Sequence, residues 1–216
     1  MATCVWLLPS PASAQTCNPY RVPGGDPIYW PVAGVELSID PVLPASVTPE
    51  EMLDALHTSL QTWTELECTQ PEVVILDEQD GFASCPGEGL DDGTQCIYWA
   101  LPGDEWPYGS VLIAVTLVHH NTLTAEIVDT DMAINGTGTF TWSSPIVCDA
   151  ESATHDLPAT LTHEFGHFFG LDHSGSAQSV MEGSTRPGDC GKRTLHGIDI
   201  DCLCDTLASV PGPPWP

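Results

Sequence analysis

Residues 163–173 read His-Glu-Phe-Gly-His-Phe-Phe-Gly-Leu-Asp-His, and this spacing constrains the fold more than any other feature of the chain. His163 and His167 are four apart. On a helix turning about 100° per residue they share one face, a single turn apart. The same helix cannot bring His173 to that face. Ten residues beyond His163, it would carry the side chain about 15 Å further along the axis. The chain must therefore leave the helix after His167 and double back. Gly170 supplies the break, because glycine accepts the left-handed backbone that a sharp helix end requires. The pattern demands a fold that gathers three imidazoles around one point, with Glu164 beside them.

Three imidazoles on one point form a metal-ligand set. Three ligands with a fourth position open suit catalytic zinc. His163, His167 and His173 are thus the expected zinc ligands. Glu164 is the expected general base, set to take a proton from water at the open position.

The surrounding sequence predicts the elements that carry this motif. Asp156 caps the motif helix, with Pro158 in its first turn. Upstream, Val35–Asp40 alternates apolar and polar residues as a half-buried strand does. Thr48-Pro49-Glu50-Glu51 starts a helix with Thr48 as N-cap, Pro49 in the first position and Glu51 completing a capping box. Met52, Leu56, Leu60 and Trp63 give that helix one apolar face. Residues 73–76 read as a buried strand, parallel to the first across the helix. Residues 77–95 are a polar loop. Val111–Val118 and Ala125–Ile134 are strands joined as a hairpin through Asn121. Residues 135–155 are loop, and a last helix spans Leu195–Leu207, weakened by Gly197 by up to about 1 kcal/mol.

Charge and cysteine content bound the function. Only Arg21, Arg186, Lys192 and Arg193 oppose 30 acidic residues, a net charge of -26. Such a surface repels phosphates, which excludes nucleic acid and anionic membranes as partners. Residues 1–14 have the short apolar run and the Ala12-Ser13-Ala14 site of an export signal. Removing them takes away Cys4 and leaves eight cysteines, an even set suited to four disulfides in a secreted chain. Cys85 and Cys96 flank a Gly- and Asp-rich loop and are the expected local pair.

On these residues the chain resembles the metzincin clan, and within it the matrixins. His163-Glu164-x-x-His167-x-x-Gly170-x-x-His173 is followed directly by Ser174, and Ser179-Val180-Met181 is similar to a methionine turn. Thr194–Leu207 resembles the family's C-terminal helix, and Glu126–Asn135 the strand before its catalytic helix. The resemblance implies an α+β fold: a twisted mixed sheet, an active-site helix and a C-terminal helix, with a zinc cleft between two lobes. It implies an upper lobe at about 28–170, a lower lobe at about 171–208 and a Pro-rich tail at 209–216. Gly170 and Met181 then support the site. The resemblance also implies that substrate lies along the Val111–Val118 edge strand and that residues 182–190 shape the specificity pocket. Cys17 lies in no cysteine-switch motif, so latency by that route is not expected, and no Tyr closely follows Met181, which disfavours astacin- and serralysin-like relatives.

The function that follows is a secreted, monomeric zinc endopeptidase acting on protein or peptide substrates. Two other classes stay open: a catalytically idle zinc-binding or recognition module of the same fold, and a disulfide-rich structural protein with an accidental motif. Intact Glu164 argues against the idle module. Asp77, Asp80, Asp91, Asp92, Asp129 and Asp131 offer oxygen ligands for calcium without any EF-hand spacing. His119 and His120 are expected at a strand end, and His57, His155 and His196 in structural or surface roles. Asp172 is expected to be solvated. Asn135-Gly136-Thr137 is a glycosylation sequon.

Overall fold

The computed structural model describes residues 18–68, 71–76, 85, 92–145 and 147–210. The leader expected at 1–14, most of the 77–95 loop and all but the start of the Pro-rich tail lie outside them. In chain order the elements are β1 (Gly34–Ile39), α1 (Pro49–Thr64), β2 (Glu72–Ile75), β3 (Gln95–Ala100), β4 (Ala114–His120), β5 (Ile127–Asn135), β6 (Trp142–Ser143), β7 (His155–Asp156), α2 (Leu157–Phe168) and α3 (Gly197–Ser209). The main sheet has the order β2-β1-β3-β5-β4. Four of its strands run parallel, and β4 lies antiparallel to β5 at one edge. This is the expected mixed-sheet α+β arrangement.

Helix α1 forms as its sequence requires. The Thr48 hydroxyl accepts from Glu51 N, and the Glu51 carboxylate accepts from Thr48 N at 2.8 Å. Met52, Leu56, Leu60 and Trp63 are all buried on one face, each contributing about 1.5–3 kcal/mol relative to exposure. That face packs on α2, where Trp63 Nε1 donates to Thr162 O at 2.8 Å and Ser59 Oγ to Pro158 O at 2.8 Å. The motif helix is thus bolted to α1 by polar contacts inside an apolar interface.

Several boundaries differ from the sequence reading. Strand β3 has no alternation to betray it, because both its faces are covered. Its partners are β1 on one side and β5 on the other. Strand β4 starts at Ala114 instead of Val111. The chain is still turning through Gly109, which has φ 106° and whose carbonyl accepts from Leu112 N; Val111 is left 82% exposed. Strand β5 starts at Ile127 because Ala125 has φ 63° in the hairpin turn. Residues 135–155 are not wholly loop, since β6 and β7 pair within them. Helix α3 begins at Gly197, so this glycine sits at the helix start and the interior penalty does not apply. The sequon's asparagine is buried: Asn135 Nδ2 donates to Leu112 O, and its Oδ1 accepts from Thr137 Oγ1 at 2.7 Å. No glycan fits there in the folded chain.

Cys85–Cys96 pair as expected. Cys68–Cys204 tie the segment after α1 to α3, and Cys148–Cys190 join two loops. Cys202 is also disulfide-bonded.

Under the sheet, Asp131 is buried and accepts from Cys96 N at 3.1 Å. Burial, with the neighbouring Asp129 charge, pushes its pKa up to about 7. The folded chain therefore holds a proton there that the unfolded chain releases near pH 4. Its contribution to stability is full below about pH 4 and is lost as pH rises to about 7. Asp131→Asn keeps the acceptor and removes this titration. Melting temperatures across pH 4–8 should show a shallower decline in the variant than in the wild type. Parallel curves would refute the assignment.

Candidate metal centre

Asp156 sets the start of α2. Its Oδ1 accepts from Ala159 N at 2.9 Å, and the Arg193 guanidinium grips both carboxylate oxygens, with Nε at 2.8 Å and Nη2 at 2.5 Å. The helix runs to Phe168, and Gly170 then takes φ 90°. A Cβ at Gly170 would stand 2.9 Å from Ile28 O. The break thus depends on glycine twice, for its conformation and for the close passage of the N-terminal segment.

The doubled-back chain brings the three imidazoles together. His167 Nε2 is 3.2 Å from His163 Nε2 and 3.3 Å from His173 Nε2. His163 Nδ1 lies 2.6 Å from Val180 O, and His167 Nδ1 lies 2.7 Å from Leu171 O. A carbonyl only accepts, so each Nδ1 carries the proton and each Nε2 turns a lone pair inward. Zinc–nitrogen bonds of about 2.0–2.1 Å in a tetrahedron put nitrogens about 3.3 Å apart. The donor set therefore fits zinc in ligand type, tautomer and spacing. Burial lowers the pKa of all three rings, His163 strongly and His167 to about 3, so the lone pairs stay available. Among the described residues this is the one His, Cys, Asp or Glu group of three or more with ligand atoms within 4.8 Å.

Glu164 is 4% exposed. Burial raises its pKa to about 7, against the pull of a hydrogen bond from Thr116. A carboxylate poised near neutral pH suits a general base.

Met181 packs against Gly166 of the motif helix. Its carbonyl accepts from Ser174 N at 2.8 Å, which joins the turn to the residue after His173. Asp199, buried at the start of α3, accepts from Ser179 Oγ and from Val180 N at 3.1 Å. The turn is thereby fixed from both sides.

Three participants were not legible as site residues in the sequence. Gly166, the second x of His-Glu-x-x-His, packs on Met181 so closely that a Cβ would reach its Sδ at 2.1 Å. Thr116 reaches Glu164 from the sheet. Residues 18–20 form a strap along the His173 loop: Asp172 N donates to Asn18 O at 2.7 Å, Tyr20 N to Gly170 O at 2.8 Å, and Asn18 Nδ2 to His173 O at 3.1 Å. Only the glycine inside the motif had a sequence signal.

The remaining histidines lie outside the triad. His119 and His120 end β4, where a register shift between them breaks the simple alternation. His57 is on α1, His155 is buried on β7, and His196 caps α3. Asp172 is partly covered and accepts from His173 N at 2.7 Å. Asp77, Asp80 and Asp91 fall outside the described residues. Asp129 accepts from Asp92 N, Gly93 N and Gln95 Nε2. Donors converging on a carboxylate are the reverse of what calcium gathers, so these aspartates lend calcium no support.

Residues 103–204 match the family model described as matrixin. The match spans β4 to most of α3 and leaves β1–β3 and α1 outside it. No curated protein matches the chain.

Proposed function

The chain carries a matrixin-like metzincin peptidase domain over residues 103–204, and we propose that it is a secreted zinc-dependent endopeptidase whose metal is held by His163, His167 and His173. The converging Nε2 lone pairs carry this reading, since the backbone carbonyls on His163 and His167 fix the tautomer a zinc site needs. When bound, zinc supplies Lewis acidity and makes water acidic enough to ionise near neutral pH.

The chain's own residues do the rest. Glu164 takes a proton from water in the cleft and returns it to the departing amine. Its raised pKa favours both transfers, because a base near neutral pH both accepts and releases readily. Burial keeps bulk water from competing for the carboxylate. An extended substrate hydrogen-bonds along β4, which is the sheet edge and has backbone groups to offer. Residues 182–190 border the site beyond Met181 and shape the pocket for the substrate side chain. The lobe division at about residue 170 follows from the same reading, with α2 above the cleft and the methionine turn and α3 below.

Secretion is supported by the paired cysteines. No helix among the described residues is long and apolar enough to cross a membrane.

Metal analysis of the purified chain, with cleavage of a denatured protein with and without chelator, tests the reading. About one zinc per chain and chelator-sensitive cleavage restored by zinc are expected. Zinc without cleavage would favour an idle binding module. Absence of zinc would remove both.

A further inference from the structure

We propose that Thr116 is a positioning residue for the reaction, holding the Glu164 carboxylate in its working orientation from the edge of the sheet. This inference rests on the reading of Glu164 as general base. Thr116 is near the middle of β4, across the ladder from Met132, and is 9% exposed. Its flanking residues Val115 and Leu117 point to the other face, as strand alternation requires. Thr116 alone of the three meets α2 at Glu164. Its Oγ1 lies 2.6 Å from Glu164 Oε2 and 3.2 Å from Glu164 O. A hydroxyl has one proton, and the shorter contact has the length of a hydrogen bond to an ionised carboxylate. The proton therefore goes to Oε2.

The arrangement has a mechanical meaning. A glutamate has three rotatable side-chain bonds, and a carboxylate tethered only through its own chain samples several rotamers. A buried tether from another element removes that freedom. Valine would suit the strand as well as threonine does, so strand propensity gives no reason for the hydroxyl. Because Thr116 belongs to the strand that offers its backbone to substrate, the tether also ties the base to the seat of the substrate. A shift of β4 relative to α2 would move both together.

Thr116→Val removes the hydroxyl at nearly constant shape, and Thr116→Ser keeps it. Rates on a quenched-fluorescence peptide, with zinc content measured for each variant, test the proposal. Thr116→Val is expected to lose about 10- to 100-fold in kcat, the scale of a misplaced catalytic group, with KM and zinc content unchanged. Thr116→Ser is expected to recover most of the rate. In a Glu164→Gln background, Thr116→Val should have no further effect, because the two act as a unit. Wild-type kcat in Thr116→Val beside an inactive Glu164→Gln would overturn the role of Thr116 alone. Activity in both would overturn the reading of Glu164 beneath it. Equal losses in Val and Ser variants would assign Thr116 to packing and also overturn the proposal. Should the Val variant not fold, Thr116→Ala against Thr116→Ser makes the same comparison, and equal rates would again refute it.

Discussion

Glu164→Gln should reduce kcat by about a thousandfold or more while leaving zinc bound at one per chain, within the range general acid–base catalysis supplies. Glutamine matches glutamate in shape and can still accept from Thr116 through its carbonyl oxygen. It cannot take a proton from water. The loss should therefore fall on kcat, with KM and the melting temperature little changed. The three histidines lie outside the substitution, and their carbonyl partners on Val180 and Leu171 are untouched. Metal analysis and steady-state kinetics on the same preparation check both halves. A variant with full activity would take Glu164 out of the mechanism, and one that lost its zinc would make it a structural residue.

Gly166→Ala should destabilise the chain by about 1–3 kcal/mol, the usual penalty for overpacking, even though helix propensity alone favours alanine by about 1 kcal/mol. The sign turns on space. The new Cβ would meet Met181 Sδ at 2.1 Å, Met181 Cε at 2.9 Å and Trp63 Cζ2 at 3.0 Å. A methionine can usually swing aside. Here its backbone is held by Ser174, and the preceding Val180 by Asp199, while Trp63 is fully buried and anchored to Thr162 O. Relief must come from moving the turn, and Val180 O, which orients His163, moves with it. A lower melting temperature and weaker zinc binding in titration are expected together. Met181→Ala in the Gly166→Ala background should recover part of the loss. A melting temperature at or above the wild type would show that the contact is easily relieved.

The legible and illegible parts of the molecule divide by physical cause. Caps and breaks are local chemistry, so Thr48, Glu51, Asp156 and Gly170 could be read from a few neighbouring residues. The histidine spacing was legible for the same reason, since helix geometry alone restricts where the third ring can go. The Cys85–Cys96 pair followed from short separation around a turn-rich loop. Strand β3 was missed because full burial on both faces erases the alternation that marks a strand. The early start given to β4 came from apolar residues at 111–113, where Gly109 keeps the chain turning. Thr116 and the strap at 18–20 could not be found, because contacts across 48 and 155 residues leave no local trace. Gly166 lies between these cases: its identity was visible, and the methionine that demands it was not adjacent.

The strap has a consequence for when the centre can first exist. Asn18 leaves the ribosome more than 150 residues ahead of Asp172 and His173, to which it bonds. Asp199, which fixes the methionine turn, comes later still. A chain that stops short of Asp199 cannot hold the strap, the third histidine and the fixed turn at once. The site's parts thus come together only once the chain has been made through Asp199.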